Sequence, residues 1–217
     1  MINTDKINRE TDYLVLRGGD KQQLFFDALD RTFFINLLKS EKAKVPCYLY
    51  AFCVTAKSIH LLLGKKDDFP LERFVQQVTN FYTSYYNRKY HKQGQLFVKD
   101  CKREPVKDDT NFMAATRYIH QNPVHAKVVE HAKEYKWSSY NAYTSDVLEF
   151  IDKAPLLILL GGKAGFIAFM GDSEKLNLIS PQVSESEPNG SARLAKELER
   201  LCETWNNKIG TYMESLD

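Results

Sequence analysis

Residues 45–63, VPCYLYAFCVTAKSIHLLL, contain two β-prone runs, 45–54 and 58–63, separated by the short polar break TAKS. Branched, aromatic and leucine side chains crowd both runs, and the break is only a few residues long. That pattern predicts a buried pair of antiparallel strands joined by a tight connection. On the second run the side chains of Ser58 and His60 fall on one face, because strand residues two apart point the same way. A histidine in an apolar strand is most simply a packed core residue satisfied by a neighbour, so its role depends on what the chain brings to that face.

Outward from this pair, residues 13–17, YLVLR, read as a short strand, followed by the turn-forming GGD. Apolar positions Leu29, Phe33, Phe34, Leu37 and Leu38 recur at helical spacing, with Asp27 as a cap, predicting a helix over 27–40. Leu71, Phe74, Val75, Val78, Phe81, Tyr82 and Tyr85 predict a second over 70–90, whose aromatics are too many for one face to bury. Residues 95–107 read as two short strands, QLFVK and REPVK. A helix over 108–121 begins at the DDT cap and ends where Pro123 disfavours helical geometry at Asn122. Shorter helical pieces are expected around 125–144 and 153–170.

The order strand, helix, strand, strand, helix, strand predicts an α+β fold of the ferredoxin-like, RRM-like plan. It is an antiparallel sheet with helices packed on one face, plus a C-terminal helical extension. The domain reading is a main unit over 1–145, a helical extension over 146–179, a linker over 180–191 and a last helix over 192–217. That helix carries Leu194, Leu198, Leu201 and Trp205 on a stripe.

Composition narrows the class. In 217 residues, 43% are hydrophobic and 12% aromatic, which excludes a disordered or fibrous chain. No apolar run reaches membrane-spanning length and the N-terminus is polar, so a soluble cytoplasmic protein is expected, with no membrane partner. The four scattered cysteines form no zinc or disulfide framework and read as reduced thiols. The net charge of +2 hides an asymmetry, since residues 146–217 hold 7 basic against 12 acidic side chains. Residues 88–107 hold 7 basic against 2 acidic, interleaved with Tyr90, His91 and Phe97. A solvated charged face is the plain account of this stretch. A nucleic-acid groove is the sharper one, since such a groove must neutralise phosphates while stacking bases.

The segment 116–126, TRYIHQNPVHA, sets Tyr118 and Asn122 one turn apart on a shared helix face. A packed tyrosine and a helix-ending asparagine would account for the spacing alone. Five phrases in order, however, carry a resemblance: RGGDKQQLFFDALDRTFFINLL, IHLLL at 59–63, YNRKYHKQGQLF at 86–97, RYIHQNPVHA at 117–126 and YKWSSYNAY at 135–143. Residues 11–145 resemble the single-tyrosine HUH transposases of bacteria, most closely the REP-associated tyrosine transposases.

The resemblance implies DNA transposition and recombination by a mobile-element endonuclease acting on single-stranded or hairpin DNA. Tyr118 would be the nucleophile that becomes joined to a 5′ phosphate. His60 and Asn122 would hold a divalent metal, Mg²⁺ or Mn²⁺, as Lewis acid. It also implies a monomer or homodimer, nucleoid-associated when bound to DNA. The first histidine of the motif is replaced by Ser58, a short neutral ligand that should weaken the metal about ten-fold or more. A weakened enzyme and a repurposed DNA-binding protein are both consistent with that change. Lys57 neighbours the motif but alternates to the opposite face. His120 and His125 are further imidazoles, the former about 200° around the helix from Tyr118. Arg88, Lys89, Lys92, Lys99, Lys102 and Arg103 are the candidate DNA contacts, with Arg17 and Arg117 as secondary ones.

Overall fold

The computed structural model describes residues 10–19, 22–98, 102–145 and 148–171. The expected linker and C-terminal helix, and Lys99, lie outside the described residues. Four strands, β1 (Thr11–Arg17), β2 (Cys47–Val54), β3 (Ser58–Lys65) and β4 (Lys102–Val106), form one sheet in the order β2-β3-β1-β4. Every pairing is antiparallel. With α1 (Ala28–Lys42) between β1 and β2, and α2 (Leu71–Tyr90) between β3 and β4, this is the ferredoxin-like order the sequence predicts.

Strand alternation divides the work of the two sheet faces. Leu14 and Leu16 of β1 face Leu71, Val75 and Thr79 of α2 across an open groove of about 670 Å³. Helices α1 and α2 pack together on that side. The opposite face, with Tyr13, Val15 and His60, receives α3 (Asp109–His125), whose Tyr118 ring lies 5.9 Å from that of Tyr13. The helices therefore cover both faces rather than one, and the candidate residues lie on the α3 side.

Local chemistry explains the elements. Asp27 caps α1 by accepting from the Asp30 amide at 2.9 Å, while the Asp30 carboxylate reaches back to the Asp27 amide. Helix α3 runs through Pro123 instead of ending before it. Proline there removes only the bond to the Ile119 carbonyl, and the last turn closes through Ala126 N–H to the Asn122 carbonyl at 3.0 Å. The expected strand QLFVK is reduced to a single bridge between Gly18 and Phe97, flanked by backbone bonds Gly19 to Leu96 and Val98 to Arg17.

Residues 125–144 are not mainly helical. They hold a 3₁₀ turn at Ala132–Glu134 and a short α4 at Tyr140–Thr144. The segment is instead recruited to the free edge of β2. The Val54 amide donates to the Trp137 carbonyl at 2.9 Å, and Tyr135 and Tyr143 donate their hydroxyls to the carbonyls of Val54 and Tyr50. Ser139 Oγ accepts from the Phe52 amide at 2.9 Å, and the Asp152 carboxylate accepts from the Leu49 amide at 2.8 Å. An edge that would otherwise expose unpaired backbone groups is thereby closed.

Beyond it, α5 (Ala154–Leu159) and α6 (Lys163–Gly171) continue the same core through Leu156, Phe166 and Met170. Phe166 stacks on Tyr143 at 4.7 Å and meets the edge of His120.

Gly64 makes room for a neighbour. A Cβ there would lie 2.6 Å from the Tyr50 ring. We expect Gly64→Ala to destabilise by about 1–3 kcal/mol through overpacking, read as a lower urea midpoint at unchanged slope. An unchanged midpoint would show that Tyr50 is free to move aside.

Candidate functional site

The hairpin that opens the sequence reading also builds the site. The Thr55 hydroxyl donates to the Ser58 carbonyl at 2.9 Å and accepts from the Ser58 amide at 3.0 Å, so the turn is locked by its first residue. Ser58 and His60 follow on one face of β3, as alternation requires. Arg17 lies directly across from Ser58, and Val15 from His60, in the β1–β3 ladder. Directly paired residues share a side of the sheet, so Arg17 stands on the His60 face at its end.

His60 is 5% exposed and both ring nitrogens are engaged. Nδ1 lies 2.8 Å from the Tyr13 hydroxyl and Nε2 lies 3.0 Å from Ser58 Oγ. Burial, with the nearby Arg17 guanidinium second, pushes the imidazole down to about 4, so it is neutral at pH 7. Burial, reinforced by surrounding groups, also raises the Tyr13 phenol far above its ordinary value, so that hydroxyl keeps its proton.

Ser58 Oγ also lies 2.9 Å from the Thr55 hydroxyl. Tyr13, His60, Ser58 and Thr55 thus form one continuous hydrogen-bonded chain in which both imidazole nitrogens are engaged.

Tyr118 faces this chain from α3. Its ring is edge-on to Tyr13 at 5.9 Å and to His60 at 6.3 Å. Both Tyr118 and Asn122, one turn later, are half-buried. The fold thus brings together Tyr118, His60 and Ser58 from separate parts of the chain.

The donor set does not fit a divalent ion. Metals of this kind bind lone pairs on carboxylates, carbonyls or neutral imidazoles. Both ring nitrogens of His60 are already hydrogen-bonded, to Tyr13 and Ser58, while Ser58 and Asn122 offer only a neutral hydroxyl and a neutral amide. Among the described residues no three His, Cys, Asp or Glu side chains are grouped to hold a metal. The other histidines lie elsewhere. His120 is fully buried, 2.7 Å from Ser139 Oγ and ringed by Tyr140, Tyr143 and Phe166, and His125 is exposed in the last turn of α3. Lys57 is exposed in the turn.

The basic candidates divide by what they touch. Lys89 is 2.6 Å from Asp30 and 2.8 Å from Asp27. Arg103 pairs with Asp12 at 2.7 Å and also with Glu72. Arg117 is 7% exposed, its guanidinium 5.2 Å from the Phe169 ring centre, and belongs to the packing of α6. Arg88, Lys92 and Arg17 are exposed. The Lys102 side chain, like Lys99, lies outside what is described. Tyr13 and Thr55 were not among the candidates from sequence. Tyr13 has the same strand periodicity as Arg17, but its meeting with His60 spans 47 residues and needs the β1–β3 register to be known.

Comparison with solved structures agrees with this architecture. A structure described as a REP-associated tyrosine transposase bound to a REP hairpin matches with a TM-score of 0.55 at 12% identity, over 64% of this chain and 81% of the other. A second, a candidate transposase from Deinococcus radiodurans, aligns at a TM-score of 0.39 and 17% identity, over 51% of this chain and 88% of that one. That overlap is too partial to carry an argument. No protein-family model and no curated protein matches the sequence. At these identities the likeness is one of fold: the chain has the fold of a tyrosine transposase. No helix among the described residues is long and apolar enough to cross a membrane.

Proposed function

We propose that this protein is a transposase-like DNA-binding protein that engages single-stranded or hairpin DNA on the face carrying Tyr118, His60 and Arg17, and that strand cleavage at Tyr118 is strongly attenuated. The observation behind the second half is the engaged imidazole: both ring nitrogens of His60 are taken by Tyr13 and Ser58, so a metal would have to displace one of them. The first half rests on the fold shared with a hairpin-bound transposase and on the exposed cation Arg17 beside Ser58 on that face.

A second reading keeps the chemistry. Tyr118 stands beside His60, on the face where a reacting phosphate would have to lie. In that case the tyrosine oxygen attacks phosphorus, the 3′ oxygen leaves with a proton, and a 5′-phosphotyrosine remains.

End-labelled hairpin DNA incubated with the protein and Mn²⁺ separates the two. The expected result is a mobility shift without a covalent adduct. An adduct should appear in Ser58→His and vanish in Ser58→His combined with Tyr118→Phe. A strong adduct with the natural protein, lost in Tyr118→Phe, would establish the second reading. Absence of any shift at low salt would remove the DNA assignment altogether.

A further inference from the structure

We propose that Arg17 is the fixed cation that holds a phosphate of the bound strand beside Tyr118, in place of a metal ion. This rests on the DNA-binding reading above and names the group that meets the phosphate.

A phosphate placed against a tyrosine hydroxyl needs positive charge close by. The chain Tyr13–His60–Ser58–Thr55 offers none, since both nitrogens of His60 are engaged within it by Tyr13 and Ser58. Of the cations first considered for DNA, Lys89 and Arg103 are spent on carboxylates and Arg117 is buried under α6. Arg17 differs in three respects. Its ladder position is opposite Ser58, whose Oγ is 3.0 Å from His60, so it adjoins the site on the same sheet face. It is exposed, and it forms no ion pair with any described residue. Its backbone is also fixed, because its carbonyl accepts from the Val98 amide at 3.0 Å at the end of β1. A guanidinium anchored in this way presents a planar fork that suits two phosphate oxygens, which a lysine cannot reproduce.

The test uses the full-length protein and a fluorescently labelled hairpin with a single-stranded extension, in EDTA and in Mg²⁺. Wild-type affinity should be the same in both. Arg17→Ala should weaken binding about ten-fold and lower the salt slope by about 0.7, the share of one single-strand phosphate. Arg17→Lys should recover only part of the loss, and Lys57→Ala, an exposed cation alternating to the other face, should stay near wild type. Replacing phosphates one at a time with neutral methylphosphonate should reveal one position that costs the wild type as much as the arginine but costs Arg17→Ala nothing. Unchanged melting of Arg17→Ala would exclude misfolding as the cause.

If Arg17→Ala binds as well as wild type, or if wild-type binding collapses in EDTA, the assignment of Arg17 is overturned while DNA binding stands. If the wild type binds no DNA, both readings fall.

Discussion

Lowering the pH from 7 to 5 should cost this fold about 4 kcal/mol, roughly 2 from each of two buried histidines. His60 is held down to about 4, by burial first and Arg17 second, and burial holds His120 down to about 3. Both rings are neutral when folded, whereas in the unfolded chain they take up protons near 6.5. The unfolded state therefore binds more protons as pH falls from about 6.5 towards 4, and stability is lost over that window. Carboxylates contribute little above pH 5, so the signal is separable from general acid unfolding. Urea midpoints at pH 7 and pH 5 provide the measurement, with His60→Gln and His120→Gln each expected to flatten about half of the difference. Equal midpoints at the two pH values would mean that the rings are already charged in the native protein or are reached by water.

Asp30→Ala should be comparably damaging, at about 3–5 kcal/mol, because it removes one partner from a buried charged network. Asp30 is fully buried, yet its carboxylate accepts from the Phe26 amide at 2.8 Å, the Tyr90 hydroxyl at 2.6 Å, the Tyr85 hydroxyl at 3.1 Å and Lys89 Nζ at 2.6 Å. Burial alone would raise its pKa. The bonds from Lys89, Tyr90 and the two amides outweigh that and hold it below the ordinary carboxylate range. The resulting stability is present above the unfolded value of about 3.9 and is lost as pH falls through the lower folded one.

The cost of the substitution is the set of stranded donors rather than the lost side chain, so Lys89→Met, which leaves the other donors in place, should cost less. Chemical denaturation of both variants decides this. A loss below about 1 kcal/mol for Asp30→Ala would show that Lys89 and the tyrosines find water instead.

The parts of this fold that were legible in the sequence are those governed by local pattern. Alternation placed Ser58 and His60 on one face, and helical spacing located α1, α2 and most of α3. The i, i+4 relation put Tyr118 and Asn122 together. What could not be read depends on register between distant segments. Tyr13 reaches His60 only because β1 lies beside β3, and Asp30 is joined to Tyr85, Lys89 and Tyr90 only because α1 lies beside α2. Charge counting in 88–107 likewise could not distinguish a cation facing solvent from one paired to Asp27, Asp30, Asp12 or Glu72. Pro123 misled for a different reason: near a helix end proline removes one bond but does not halt the chain.

The clasp along β2 has a consequence for how this protein can be cut or recombined. Composition and charge invite a boundary after residue 145, yet Asp152 beyond it still donates to and accepts from Leu49. Tyr143, just before it, relies on Phe166 for its stacking partner. A chain ended at 145 would keep the bonds of Trp137 and Ser139 to β2, but it would strand the Leu49 amide and carbonyl and uncover the aromatic surface that Phe166 packs against. Such a fragment is expected to accumulate as insoluble material rather than as a smaller folded protein.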